Sequence, residues 1–162
     1  FMKTLFKDIE FVKGIWYEDL ATIPKCLAIA NKVVKVDEVL YYYLQRSTSI
    51  VHTRNFKVFD IYIAIHSVEE FLESIGLRKK LNEQIRNMYV VQALYLTNLR
   101  IKDYEEGYLE FYQRNHDLIK IHYPHWFLNT FIWNQGIKMW IGFLLFKLKM
   151  FSLLKRLYKT KQ

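Results

Sequence analysis

From Asn55 onward the apolar residues recur every three or four positions, and little in the chain interrupts them. Only five Gly and two Pro are spread over 162 residues, which favours long helices over a loop-rich or all-β design. Phe56, Phe59, Ile63, His66 and Glu70 follow one line of a helix, Ile61, Ala64, Ile65, Val68 and Leu72 widen its apolar face, and Gly76 supplies a C-terminal stop. A second helix is predicted over Arg78 to Arg100, with Leu81, Ile85, Met88, Tyr89, Gln92, Leu96 and Leu99 toward the core. A third is predicted over Asp103 to Ile121. Its Gly107 weakens it by about 1 kcal/mol relative to Ala, and Pro124 separates it from the C-terminal tail.

The first third of the chain has a different pattern. Phe1 to Lys13 reads as a short amphipathic segment or as an extended lead-in to Gly14. Thr22 suits a helix N-cap with Pro24 in the first turn, where its missing N–H is harmless. Lys32 to Val36 and Val39 to Leu44 are β-branched and aromatic runs separated by Asp37-Glu38, a pattern of a β-hairpin or of two sequential edge strands. The change of period places a soft boundary near His52. The expected fold is mainly α with a small β-hairpin or edge-strand pair.

A chain of this length can bury roughly 70% of its unfolded surface. Cys26 is the single cysteine, which excludes a disulfide framework and a multi-thiolate zinc site and fits a reducing compartment. The start, Phe1 to Phe6, lacks the pattern of a signal peptide. The net charge of +8 is unevenly placed. Residues 118–162 hold eight Lys or Arg and no acid, and the remaining sixteen basic residues are matched by all sixteen acids. A neutral body therefore carries a basic, aromatic tail.

Gly14-Ile15-Trp16-Tyr17-Glu18-Asp19-Leu20 is a candidate for chemistry, because an acidic pair among aromatic and aliphatic residues has a basicity that its surroundings can tune. The bland alternative is an acidic pair at a helix N-terminus, where it meets the positive end of the dipole. Together with Leu40-Tyr41-x-Tyr43-x-x-Arg46-x-x-Ser49-Ile50, this stretch resembles the end of the catalytic domain of bacterial family 2 glycosyltransferases. These are the inverting, GT-A-type enzymes of cell-surface and capsular polysaccharide synthesis.

The resemblance implies that residues 1–52 are the C-terminal end of a GT-A α/β catalytic domain, followed by a helical region over 53–123 and a basic aromatic amphipathic tail over 124–162. It also implies a reaction, in which an acceptor hydroxyl of a saccharide or lipid-linked acceptor attacks the anomeric carbon of a nucleotide-sugar. Asp19 would be the general base and Glu18 its neighbour, orienting acceptor or loop. Trp16 and Tyr43 would contact substrate, and Arg46 and Ser49 would approach the diphosphate or brace the Glu-Asp loop, guanidinium suiting phosphate oxygens. Tyr41 and Tyr43 on one strand face equally suit core packing. Position 44, often basic in such enzymes, is Leu44, which argues against a second phosphate contact there.

No Asp-x-Asp and no phosphate-cradling glycine loop occur in the sequence. The expectation is a C-terminal fragment with no metal site or cofactor of its own, inactive alone, a divalent Mg or Mn belonging with a nucleotide-binding N-terminal half. His122-x-x-His125 is broken in register by Pro124 and reads as core or interfacial histidines.

In the tail, Met139 to Phe146 is apolar but too short to span a bilayer. On a continuous helix Lys138, Lys149 and Arg156 share one side, while Phe143, Phe146, Met150, Leu153, Leu154 and Leu157 occupy the other. Residues 137–159 would then lie on an anionic membrane surface, or pack that apolar side on protein. The expected location is cytoplasmic, peripheral at the inner face of a bacterial cell membrane. A non-enzymatic helical module binding anionic membranes is the alternative function. Nucleic acid is not an expected partner, because the basic side chains share their helix with a wide apolar face.

Overall fold

Residues 3–7, 9–42, 44 and 53–159 are described by the computed structural model, and among them helices carry all the regular structure. In chain order the α-helices are α1 (Glu18–Ile29), α2 (Asp60–Ser74), α3 (Asn82–Met88), α4 (Thr97–Ile101), α5 (Tyr108–His122), α6 (Thr130–Trp133), α7 (Ile137–Lys147) and α8 (Phe151–Lys159). A π-helical stretch, Tyr89–Leu96, joins α3 to α4 without a break.

The expected β-hairpin or edge-strand pair, and with it a GT-A α/β portion, is not what forms: no strand occurs among the described residues. Lys32 to Tyr42 runs without regular structure and is exposed, Val39 at 76% and Tyr42 at 88%. The physical reasons are two. A two-stranded ribbon with nothing packed on it is marginal in water, and Asp37-Glu38 lacks the Gly or Asn that a tight two-residue hairpin turn requires.

From Asn55 the helical period is realised, with shifts in register. The Asn55 side chain accepts from the Lys57 N–H at 2.9 Å and starts a short 3₁₀ turn that feeds α2. The inward face of α2 is Ile61, Tyr62, Ala64, Ile65, Val68 and Leu72, while Ile63, His66 and Glu70 face outward. Gly76 ends the helix as expected, at φ 71°, with Leu77 N–H bonded back to Leu72 O at 2.8 Å and Gly76 N–H to Glu73 O at 3.0 Å. Gly107 is a boundary and not a weak interior position: at φ 68° it starts α5, which is therefore shorter than predicted. The π winding advances the stripe of the second predicted helix, so that Val90, Ala93, Leu94, Thr97, Asn98 and Ile101 are buried and Leu96 is exposed.

At the centre of the bundle is a polar hub. The Tyr62 hydroxyl donates to Asn115 Oδ1 at 2.8 Å, and Asn115 Nδ2 donates to Ala93 O and to Asn98 Oδ1, both at 3.0 Å. The Tyr112 hydroxyl donates to Asn98 O at 3.2 Å. Around it pack Phe111, Ile119, Trp126, Phe143, Phe146 and Leu154, drawing α7 and α8 onto the same core. Lys155 of α8 is buried too, its Nζ donating to Tyr104 O and lying 3.8 Å from the centroid of the Tyr108 ring. Desolvation pushes this ammonium below its ordinary value, and Lys159 adds to the shift.

This packing makes two outcomes testable. Asn115→Leu leaves the Ala93 carbonyl and Asn98 Oδ1 buried without the amide donor they share, and the Tyr62 hydroxyl with only the longer bond to the residue-115 carbonyl, and is expected to cost about 2–4 kcal/mol. Thermal circular dichroism should show a midpoint roughly 4–16 °C lower; a shift within a degree would mean that the hub contributes nothing. The second concerns pH. Burial pushes His116 and His122 below the ordinary 6.5, Lys120 and Lys149 adding to the effect at His116 and His66 at His122. The folded state thus keeps both neutral while the unfolded chain takes up their protons. Their contribution is present above 6.5 and lost as pH falls through it toward the folded values. Urea midpoints should fall on acidification from neutrality, and should fall less in a His116→Phe/His122→Phe variant.

Candidate active site

The Glu18–Asp19 pair is delivered by a tight backbone turn. Gly14 has φ 81°, a conformation that glycine adopts without a Cβ penalty, and its carbonyl accepts from Lys57 Nζ at 2.8 Å. The Trp16 N–H donates to Asp60 Oδ2 at 3.0 Å, tying the turn to the first residue of α2. Tyr17 then takes φ 65° and ψ 35°, the left-handed region, which costs a bulky residue roughly 1–2 kcal/mol. Its carbonyl accepts the first helical bond, from Ala21 N–H at 3.0 Å.

Arg100, at the end of α4, holds Tyr17 in place. Its Nη1 donates to the Tyr17 hydroxyl at 3.1 Å, and its guanidinium stands 4.8 Å from the centroid of the Trp16 ring. Desolvation pushes the Tyr17 phenol above its ordinary value; Arg100 opposes this, and Asp60 and Asp19 add to it.

Glu18 and Asp19 are exposed and open α1, at the positive end of its dipole. Asp19 Oδ1 accepts from the Leu20 N–H at 2.7 Å. The helix begins earlier than predicted, so Asp19 lies inside it. Thr22, expected as the N-cap, is buried in the helix with its hydroxyl donating to Glu18 O at 2.7 Å, and Pro24 falls in the second turn. The left-handed turn at Tyr17 takes the place of a side-chain cap.

Of the sequence-predicted site residues, Trp16, Glu18 and Asp19 are therefore neighbours in one turn. Trp16 is half-buried against Arg100. Tyr43, Arg46 and Ser49 lie outside the described residues. Sequence reasoning missed Lys57, Asp60 and Arg100. Asp60 reads as an ordinary acid at a helix start, and Arg100 is 83 positions from Tyr17, beyond the reach of any spacing argument.

Asp60 also lines an open groove of about 650 Å³ between α2 and α5, walled by Phe56, Phe59, Ile63, His66 and Arg114. Further along α2 a smaller concavity of about 340 Å³ is bordered by Glu69, Arg78, Tyr89 and His122. There Glu69 accepts from Arg78 Nη2 and from the Tyr89 hydroxyl, both at 2.6 Å, and Arg78 Nη1 donates to Asn82 at 2.7 Å. The described residues contain no group of three or more His, Cys, Asp or Glu side chains that would hold a metal ion. No helix among them is long and apolar enough to cross a membrane.

One stretch of the chain is similar in sequence to a known protein. Over 74 residues it is 35% identical to glycosyltransferase GlyG of Streptococcus pneumoniae, a match that covers 46% of this chain and 23% of that protein. The chain thus spans less than a quarter of the length of this relative. No family model matches the chain, and no solved structure matches it.

Arg100→Met removes both the donor to the Tyr17 hydroxyl and the cation over Trp16. The expected loss is about 1–3 kcal/mol, read as a lower thermal midpoint. If Arg100→Met melts like the parent, the turn is held by other contacts.

Proposed function

We propose that the chain is part of a bacterial inverting glycosyltransferase of family 2, of cell-surface polysaccharide synthesis, with Asp19 as its general base. One observation carries this reading. Tyr17 is held in a disfavoured conformation by Arg100, and that turn sets two carboxylates in solvent at a helix start. Strain kept in place by distant residues is characteristic of sites where geometry matters to function. The partial likeness to a protein named glycosyltransferase supports the reaction class.

In this reading the acceptor hydroxyl oxygen forms a bond to the anomeric carbon as the bond from that carbon to the nucleotide diphosphate breaks. The hydroxyl proton passes to the Asp19 carboxylate, and the sugar is delivered with inverted configuration. A sugar hydroxyl is a poor nucleophile at neutral pH, and a positioned carboxylate contributes ~10²–10⁴-fold. Glu18 orients the acceptor, and Trp16, braced by Arg100, gives it an aromatic wall. The groove that shares Asp60 with the turn offers aromatic and charged walls to the rest of a saccharide acceptor. By the resemblance, Arg46 and Ser49 would approach the diphosphate or brace the Glu-Asp loop, and Tyr43 would contact substrate; all three lie outside the described residues. The remaining donor-binding residues, and those for a divalent metal, belong to a part of the enzyme other than this chain, so no step here is routed through a metal.

In the enzyme that contains this chain, Asp19→Asn should lower kcat ~10²–10⁴-fold while nucleotide-sugar affinity changes little. Steady-state kinetics with a donor-binding titration separate the two quantities, and undiminished turnover removes Asp19 from the role of base. The 162-residue chain alone should release no nucleoside diphosphate from a sugar nucleotide.

A further inference from the structure

Of the six apolar residues that a single amphipathic helix over 137–159 would give to a membrane, three are in the core and Met150 and Leu153 are exposed. Phe143, Phe146 and Leu154 are buried, and the helix is divided in two at Lys149, which has φ 57°. There Met150 N–H bonds back to Leu145 O at 2.9 Å and Lys149 N–H to Phe146 O at 3.1 Å, the pair of hydrogen bonds that terminates a helix on a left-handed residue. Close approach of α8 fixes the inner side of α7, since a Cβ on Gly142 would stand 2.5 Å from the Tyr158 hydroxyl.

Those contacts leave a different apolar face exposed. At about 100° per residue, Ile137, Ile141, Leu144 and Leu148 fall within about 60° of one another, opposite Gly142, Phe143 and Phe146. Ile137 is 72%, Leu148 58% and Ile141 36% exposed, and Leu144 between them is partly buried. Lys138 and Lys147 flank it, one on each side, roughly 90° away. Trp140 lies on the Lys147 side, its ring 6.1 Å from that of exposed Trp133. Lys147 Nζ is 4.0 Å from the centroid of the Phe127 ring, its stem drawn along aromatic surface with the charge at the rim.

We propose that α7 lies in the plane of an anionic lipid bilayer, with Ile137, Ile141, Leu144 and Leu148 below the headgroups and Lys138, Lys147 and the tryptophans at their level. Charge complementarity selects this occupant: residues 118–162 carry no acid, and although Lys155 is turned inward, Lys138 and Lys147 stand at the rim, which attracts phosphate headgroups. Length sets the orientation. Eleven residues extend about 16 Å, half of what a span requires, so α7 lies along the surface. The inference is independent of the reaction proposed for Asp19.

The test uses the 162-residue chain co-sedimented with vesicles of equimolar phosphatidylglycerol and phosphatidylcholine, and with vesicles of phosphatidylcholine alone. The expected result is partition into the anionic vesicles, weakened by added salt, with a blue shift of tryptophan fluorescence. Ile141→Glu/Leu148→Glu should lower that partition roughly tenfold or more, with an unchanged thermal melt. Leu109→Glu, at an exposed apolar position on α5, should leave it as it was. Partition that the double variant does not diminish overturns the proposal, as does equal partition into both vesicles. Absence of partition, with self-association that the double variant abolishes, also overturns it and makes the stripe a contact between copies.

Discussion

The Asn115 side chain is wholly buried, and its hydrogen bonds to Tyr62, Ala93 and Asn98 join α2, the π-helical stretch and α4 to α5. Winding from Tyr89 to Leu96 is wider than α, and side chains reach carbonyls in that stretch: the Thr97 hydroxyl donates to Gln92 O and the Asn115 amide to Ala93 O. A buried amide with its partners in place specifies one register, because any slip leaves several polar groups dry and unbonded. That register fixes Asn98, and two residues later it fixes Arg100. The chain of consequence runs from a core amide through α4 to the guanidinium that holds Tyr17, and so to the direction in which Glu18 and Asp19 leave the surface.

Much of the helical body was legible from spacing. The inward residues of α2 and the stop at Gly76 follow from a 3.6-residue period and from glycine's tolerance of positive φ. The second predicted helix was legible in extent but not in phase, since a regular period cannot represent the π winding that buries Thr97 and Asn98 and exposes Leu96. Gly107 was read as a weak interior position because propensity alone does not distinguish it from an N-terminal left-handed residue. The runs from Lys32 to Leu44 misled for a deeper reason. β-Propensity expresses fit to a half-buried pleated surface, and among the described residues nothing supplies that surface.

The candidate site divides along the same line. The local part, Trp16 to Asp19, could be found from an acidic pair set among aromatics. The part that gives the pair its geometry could not, because Lys57, Asp60 and Arg100 meet Gly14, Trp16 and Tyr17 only through tertiary packing. The start of α1 also escaped, since Thr22 has the chemistry of an N-cap while a left-handed tyrosine carries no such signature. Backbone conformation set from a distance leaves little trace in a single sequence.

The C-terminal helices show how one composition serves two environments. α7 is apolar nearly all round, and such a helix is ordinarily buried on every side. Here α8 and the core cover one half, and the other half remains with lysines at its margins. A lysine at the edge of an apolar stripe keeps its charge in water only if its stem follows the surface outward, and Lys147 does so over Phe127. Lys155 does the opposite, folding inward to the Tyr104 carbonyl, because the turn at Lys149 rotates α8 so that this lysine meets α5. The same basic tail is thus divided by one left-handed residue into a charge used inside the fold and charges left on its outer rim.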